Sequence, residues 1–342
     1  MPVLHMKKKQ VSTAMLLARF EADLRDKRSL RPRQRILVAC SGGPDSVALF
    51  HLLQRLALKY SWKLGLIHFN HQLRPQAGKQ DEDFVRKLAR KHKVDFFRGT
   101  GNVEREAKAT KTSIEEAARK MRYDFFLRVS KMKRFPVIVL AHTRDDQAET
   151  VLMRVLQGTG LRGLQGIREK FRMGRTTLVR PLLGFTKKEI LEFGRAAKFA
   201  FRKDKSNDSV KFVRNRVRLE LIPRLQRDFN PRVIEALARI PSIVAGESAL
   251  ISELEEKAWK KVLKKIRGKK AELRRAAFLK CHPALQFRIV ERALKMLDSQ
   301  SGLSFEAWER FRRGLARPCF RCSLPKDIDF ELTRKRAMLY KK

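Results

Sequence analysis

The sequence predicts an α/β protein: a doubly wound, mainly parallel sheet followed by a mostly helical C-terminal domain with a short β-rich end. Three observations carry that expectation. Residues 36–50 run from a strand-like apolar stretch, through a loop holding Gly42 and Gly43, into a helix-like apolar stretch. Strand-like and helix-like stretches then alternate up to residue 179, and past Asn230-Pro231 long amphipathic patterns take over. Such alternation argues for parallel strands joined by crossover helices. Ligands of these sheets gather at the carboxyl ends of the strands, so the chemistry is expected just after strands.

Taken in order, Val11, Met15, Leu16, Phe20 and Leu24 recur at helical spacing and predict an amphipathic helix within residues 1–30. A catalytic domain is expected over 31–228. Its strands are read at 36–40, 63–70, 94–98, 136–141 and 177–179, and its helices at 47–60, 80–92, 113–131 and 145–157. Ser113, with Glu116 three residues on, is a capping signal. Residues 158–174, rich in glycine and basic side chains, read as a mobile surface loop. Thr186 opens another capped helix, 206–227 reads as a basic helix, and the domain boundary is placed at 228/229. The accessory domain, 229–342, is expected to hold a long helix at 231–267, helices at 283–297 and 304–316, and β structure within 319–340.

The 342 residues include 79 Lys+Arg against 36 Asp+Glu, a formal net charge of +43. No single basic tail accounts for it, which suits a protein laid along a polyanion, nucleic acid first. A hydrophobic content of 43% fills real cores and excludes a disordered chain. No apolar run approaches the ~18 residues of a membrane span, and no apolar core follows the basic N-terminus, so no membrane partner and a cytoplasmic location are expected. Cys40, Cys281, Cys319 and Cys322 are too scattered for a disulfide framework, and Cys319-Phe-Arg-Cys322 is one CxxC without a partner pair.

Ser41, Gly42, Gly43, Pro44, Asp45 and Ser46 form the loop between the first strand and the next helix. Glycines there let backbone N–H groups close on an anion at the positive end of the helix, so a nucleotide phosphate is the expected ligand. The pattern is Ser-Gly-Gly-x-Asp-Ser, without the lysine of the Gly-x4-Gly-Lys-Ser/Thr loop. Asp45 is a candidate ligand for the magnesium that nucleotide phosphates bring.

A second constellation follows the strand at 136–141. If Thr143 caps the next helix, Asp146 and Glu149 fall three apart on one face near its start, with His142 just before it. Acids at that place favour the helix dipole; beside a phosphate loop they also suit a cationic group or a metal. Both readings stand. Arg119 and Arg122 likewise suit either triphosphate oxygens or salt bridges with Glu115 and Glu116.

Several blocks together resemble the bacterial tRNA(Ile)-lysidine synthetases, members of the PP-loop ATP pyrophosphatases. They are the loop 41–46, Asn70-His-Gln-Leu-Arg74, Glu116-Ala-Ala-Arg-Lys-Met-Arg-Tyr123, His142-Thr-Arg-Asp-Asp-Gln-Ala-Glu-Thr150, Gly158-Thr-Gly-Leu-Arg-Gly-Leu164, Arg180-Pro-Leu-Leu183, Ser206-Asn and Arg214-Asn-Arg-Val-Arg218. The resemblance covers residues 36–224 and implies a PP-loop, adenine-nucleotide α-hydrolase-like sheet. It implies adenylation by ATP, with magnesium, of the oxygen on carbon 2 of the wobble cytidine in a CAU-anticodon isoleucine tRNA. The side-chain amine of free L-lysine then displaces AMP to give lysidine. By the same pattern Asp146 and Glu149, with His142, hold the lysine, Asp45 serves magnesium, Arg122 contacts the nucleotide, and Arg214 the tRNA. Lys264 and Lys265 are further candidates for the tRNA backbone. A homodimer is one oligomeric option. Longer members carry a further C-terminal domain, which this sequence is expected to lack.

Two other readings compete: a PP-loop thiolase and a non-catalytic basic RNA-binding protein. Sulfur transfer wants cysteines in the catalytic domain, where Cys40 stands alone. A scaffold has no use for Asp45, Asp146 and Glu149 facing phosphate.

Overall fold

A computed structural model of the chain describes residues 13–73, 75–202, 213–297, 303–324 and 327–341. Val11, Arg74 and the Ser206-Asn block lie outside the described residues. The chain forms two compact units, divided at Ser242/Ile243. The boundary expected from the sequence, 228/229, lies ahead of the long helix, and this division falls inside that helix.

The first unit is built on a six-stranded sheet. After helix α1 (Thr13–Asp26) come β1 (Arg35–Ala39), α2 (Pro44–Ala57), β2 (Lys63–Asn70), α3 (Pro75–Lys91), β3 (Asp95–Thr100), α4 (Val103–Thr110), α5 (Ile114–Lys133) and β4 (Val137–Val139). Then follow α6 (Arg144–Leu156), α7 (Leu161–Leu164), β5 (Lys170–Met173), β6 (Thr176–Val179) and α8 (Lys187–Ala196). The sheet order is β3-β2-β1-β4-β6-β5, with all neighbours parallel except the antiparallel pair β5–β6. Residues 158–174, expected as a loop, therefore contain a helical turn and the edge strand β5. The glycines masked a hairpin whose turn is at Gly174, φ +57°.

Alternation along the strands explains why the sheet is covered on both faces. Ile36, Val38, Leu64, Leu66, Val137, Val139 and Val179 join one core with Leu49, Phe50, Leu53 and Phe185. Leu37, Ile67, Phe69, Ile138 and Leu178 join another with Tyr123, Phe125, Phe126 and Phe135. A period of two residues sends successive apolar side chains to opposite faces, which a doubly wound sheet requires. Because β1 pairs β2 on one side and β4 on the other, the order reverses between β1 and β4. A crevice opens at that reversal, outside the carboxyl ends of both strands.

Past residue 212 the chain is helical: α9 (Val213–Arg216), a π-helical turn over Val217–Leu221, and α10 (Ile222–Asp228). Pro223 has no N–H to donate, and its ring crowds the preceding turn. The wider turn just ahead of it accommodates both, with Ile222 N–H bonding Val217 O. Helix α11 (Val233–Val262) carries Pro241 inside it, beside the division between units.

The second unit holds an antiparallel sheet of order β7-β8-β11-β10-β9. Its strands are β7 (Leu263–Arg267), β8 (Lys270–Leu273), β9 (Phe320–Leu324), β10 (Ile328–Leu332) and β11 (Ala337–Lys341), with helices α12 (Arg275–Leu279), α13 (Pro283–Met296) and α14 (Phe305–Gly314). Trp259, Phe278, Leu294, Phe311, Phe330 and Leu339 make its core. The expected long helix thus stops at Val262, and residues 263–273 form a hairpin turning at Gly268, φ +51°.

Candidate active site

The loop after β1 is tied to itself. Ser46 Oγ accepts from Ser41 N at 3.2 Å and donates to Gly43 O at 3.0 Å, and Ser41 Oγ accepts from Gly43 N at 3.3 Å. Gly42 has φ +90°, a conformation that a side chain resists, and its carbonyl accepts from Arg202 N at 2.9 Å. Pro44 begins α2, where its missing N–H costs nothing and its fixed φ suits the helix. The loop is thereby preformed at the positive end of a 14-residue helix.

Asp45 follows on the first turn of α2. Burial pushes its carboxyl up to about 6, opposed by the charges of Lys187 and Arg218 and assisted by those of Asp146 and Asp145. Among the described residues its side chain makes no hydrogen bond or ion pair. A partly desolvated carboxylate with no hydrogen bond or ion pair among the described residues, beside a phosphate loop, fits the one or two carboxylates by which Mg²⁺ is held together with phosphate oxygens.

Across the crevice, Thr143 caps α6 through a reciprocal box: Asp146 Oδ2 accepts from Thr143 N at 2.8 Å while Thr143 Oγ1 accepts from Asp146 N. This fixes Asp146 and Glu149 on one face. Both are nearly sealed from solvent, and three cations hold them. Lys187 Nζ lies 3.2 Å from Asp146 Oδ1 and 3.5 Å from Glu149 Oε1. Arg214 donates through Nη2 to Asp146 Oδ1 at 3.3 Å and through Nε to Glu149 Oε2 at 2.9 Å. Arg218 donates to Glu149 Oε1 at 2.6 Å and Oε2 at 2.9 Å. Burial works against ionisation of both acids, yet Lys187 and Arg214 beside Asp146, and Arg218 and Lys187 beside Glu149, hold both carboxyls below their ordinary range. Both acids stay charged.

His142 lies just ahead of that helix, with its ring pushed down to about 3 by burial and then by Arg180. Its Nδ1 accepts from Arg180 Nε at 3.1 Å. Arg122, on α5, has a buried Nε without a partner among the described residues, and burial lowers its affinity for its proton. Beside it stands His71, pushed down to about 4 by burial and then by the Arg122 charge, its buried Nδ1 also without a partner among the described residues. The structure therefore brings Asp45, Arg122, His142, Asp146, Glu149 and Arg214 together around the crevice; Lys264 and Lys265 belong to the second unit, on β7.

With that geometry in view, the sequence profile of the PP-loop domain matches residues 12–225. The chain belongs to the PP-loop family. Among its curated PP-loop relatives, a tRNA(Ile)-lysidine synthase of Symbiobacterium thermophilum is 40% identical over 67% of this chain and 47% of its own length. A tRNA(Ile)-lysidine synthase of Clostridium tetani is 33% identical over 77% of this chain and 55% of its own. The chain spans about half the length of these relatives. A solved U34-tRNA thiolase of Methanococcus maripaludis with its [4Fe-4S] cluster shares the PP-loop fold, with TM-score 0.57 and 16% identity over 68% of this chain and 80% of that one. The matched profile is that of an ATP-binding PP-loop domain.

Sequence reading missed Lys187 and Arg218 as partners of the acids. Lys187 registered only as part of a capped helix, although its place right after Thr186 puts it on a first turn whose own N–H meets Asp145 Oδ2 at 2.8 Å. Arg214 and Arg218 are four apart, which was legible; that the segment brings both onto the acids of α6 was not. A separate cavity of about 650 Å³ opens beside β3, lined by Asn70, Lys79, Glu82, Arg86, Phe96 and Arg98. Its buried carboxylate is already taken, since Glu82 Oε1 accepts from both Arg86 and Arg98.

Proposed function

We propose that this chain is a tRNA(Ile)-lysidine synthetase, a carbon–nitrogen bond-forming ligase that works in the cytoplasm. The observation that carries the reading is the acid pair Asp146/Glu149, fixed on the first turns of α6 beside the loop 41–46 and already gripping a lysine side chain. A pocket that stabilises the ammonium of Lys187 with two ionised carboxylates has the chemistry to select a free lysine by its side chain. The naming of the curated relatives supports the same substrate.

In this reading the backbone N–H groups of the loop, at the α2 N-terminus, receive the phosphates of ATP. Asp45 holds Mg²⁺, which when bound supplies charge stabilisation to the phosphates being separated. Arg122, with its unpartnered Nε, meets nucleotide oxygen. The carbon 2 oxygen of the wobble cytidine attacks the α phosphorus, and pyrophosphate leaves with the bonding pair. The lysine amine then bonds to carbon 2 as AMP departs with the electrons of the broken C–O bond. Lysine enters by exchange with one of the cations Lys187, Arg214 and Arg218, and displacement of Arg214 would free it to meet the RNA. Residues 229–342 act as the accessory RNA-binding part, with Lys264 and Lys265 on the exposed strand β7 facing phosphate. Cys40 does not suit sulfur transfer: it is buried, and burial pushes its thiol up to about 11.

Incubation of the full chain with ATP, Mg²⁺, labelled lysine and a CAU-anticodon isoleucine tRNA tests the proposal. Label in the RNA, dependent on ATP, is the expected result. Lysine that stays free while other tRNAs bind equally well overturns it.

A further inference from the structure

Arg180 directly follows β6 and is 2% exposed. Its guanidinium is fixed by three hydrogen bonds. Nε donates to His142 Nδ1 at 3.1 Å, Nη1 to the Arg168 carbonyl at 2.5 Å and Nη2 to the Tyr123 hydroxyl at 3.2 Å. The strand pairing sets the geometry: β4 and β6 are parallel neighbours, Leu140 N donates to Val179 O at 2.9 Å, and the residues just beyond both strands meet at the crevice.

A guanidinium has five N–H donors and no acceptor. The atom facing Arg180 Nε must carry a lone pair, so His142 Nδ1 bears no hydrogen. In a neutral ring the hydrogen is then on Nε2. That nitrogen makes no hydrogen bond among the described residues, and His142 as a residue keeps partial exposure, so Nε2–H is the group left to meet a ligand.

We propose that Arg180 is a positioning residue that locks His142 as the neutral Nε2–H tautomer, which makes His142 a hydrogen-bond donor to substrate oxygen and not the base for the attacking amine. The proposal rests on the lysidine-forming reading for the identity of that oxygen, the one through which AMP is joined to the base. Both ring nitrogens are committed: Nδ1 to Arg180, Nε2 to its own hydrogen. A ring in that state accepts no proton unless Arg180 first moves away. The surroundings agree. Arg180, Arg122 and Arg214 repel a charged imidazolium, Asp146 alone favours it, and burial is the largest effect. A neutral donor aimed at developing negative charge stabilises it with no proton to return afterwards.

The test is a long-range ¹H–¹⁵N spectrum of the ¹⁵N-histidine-labelled full chain from pH 5.5 to 8. The His142 signals are identified by their loss in His142→Gln. The account requires an unprotonated Nδ1 and a protonated Nε2 throughout, with no titration. A ring that carries hydrogen on Nδ1, or that titrates between pH 6 and 7, overturns it, and this arm needs no substitution that endangers folding. In Arg180→Met the tautomer preference is lost or a titration enters the window; Tyr123→Phe, which removes a different Arg180 contact, leaves the spectrum unchanged. Single-turnover lysine transfer falls about 10²-fold in Arg180→Met. An Arg180→Met spectrum identical to the parent's contradicts the positioning role. Because the spectrum needs no RNA, ATP or lysine, it decides the tautomer even if the chain proves to modify a different substrate.

Discussion

Arg218 Nε donates to Glu149 Oε1 at 2.6 Å, closing a clasp in which Lys187, Arg214 and Arg218 hold Asp146 and Glu149. Glu149→Gln keeps the shape of the side chain and removes its charge. Three cations are then left with one acid in a largely buried site, and breaking such a pairing costs about 3–5 kcal/mol. Thermal unfolding followed by circular dichroism is expected to show a midpoint several degrees lower. An unchanged midpoint contradicts the clasp.

Asp45 is the opposite case. Its carboxyl is raised to about 6 in the fold. A raised acid favours the folded state when protonated and disfavours it once ionised, so the cost develops as pH climbs from about 4 to 6 and is complete above that. Asp45→Asn removes it. In magnesium-free buffer the variant gains up to about 3 kcal/mol at pH 7.5, and the gain disappears near pH 4. The same variant spares tRNA binding and abolishes pyrophosphate release; undiminished release removes the metal role.

Gly42→Ala separates conformational from steric cost. A Cβ at this position meets Phe84 Cδ1 at 3.5 Å, an ordinary contact, but φ is +90°. The substitution is expected to cost about 1–2 kcal/mol from backbone strain alone and to weaken ATP binding as the loop relaxes. Calorimetric titration with ATP reads this, and parent-like affinity at parent-like stability sinks the preformed-loop account.

For the RNA surface, salt dependence is the informative quantity. Lys264 Nζ is 2.9 Å from Glu272, and Lys265 is exposed on the same strand. Lys265→Ala is expected to reduce the slope of log binding constant against log salt by about 0.7–0.9, and Lys264→Ala by less because Glu272 already offsets its charge. Equal slopes for parent and both variants take β7 out of the interface.

Much of the fold was legible because strand alternation and capping are local. Ile36 and Leu37, adjacent in sequence, enter opposite cores, and Thr143 caps α6 as its place before the acids required. What was not legible depended on distant partners. The strand β5 exists because β6 offers an edge to pair with, and β7 because β8 returns on it; a glycine-rich stretch and the tail of an amphipathic helix carry no signal of either. The site divided along the same line. Asp45, Asp146 and Glu149 stood out by position, whereas Lys187, Arg218 and Arg180 matter through contacts that bridge 38 residues or more, such as Arg180 to His142.

Nucleoside mass spectrometry of the digested CAU-anticodon isoleucine tRNA, after reaction with the full chain, ATP, Mg²⁺ and lysine, asks whether the acid pair and the phosphate loop serve one reaction. The predicted result is conversion of the wobble cytidine to a nucleoside heavier by lysine less one water, with AMP released in equal amount, and with neither product in Asp45→Asn. An unmodified wobble cytidine alongside continued AMP formation, or lysine attached elsewhere in the RNA, would contradict it.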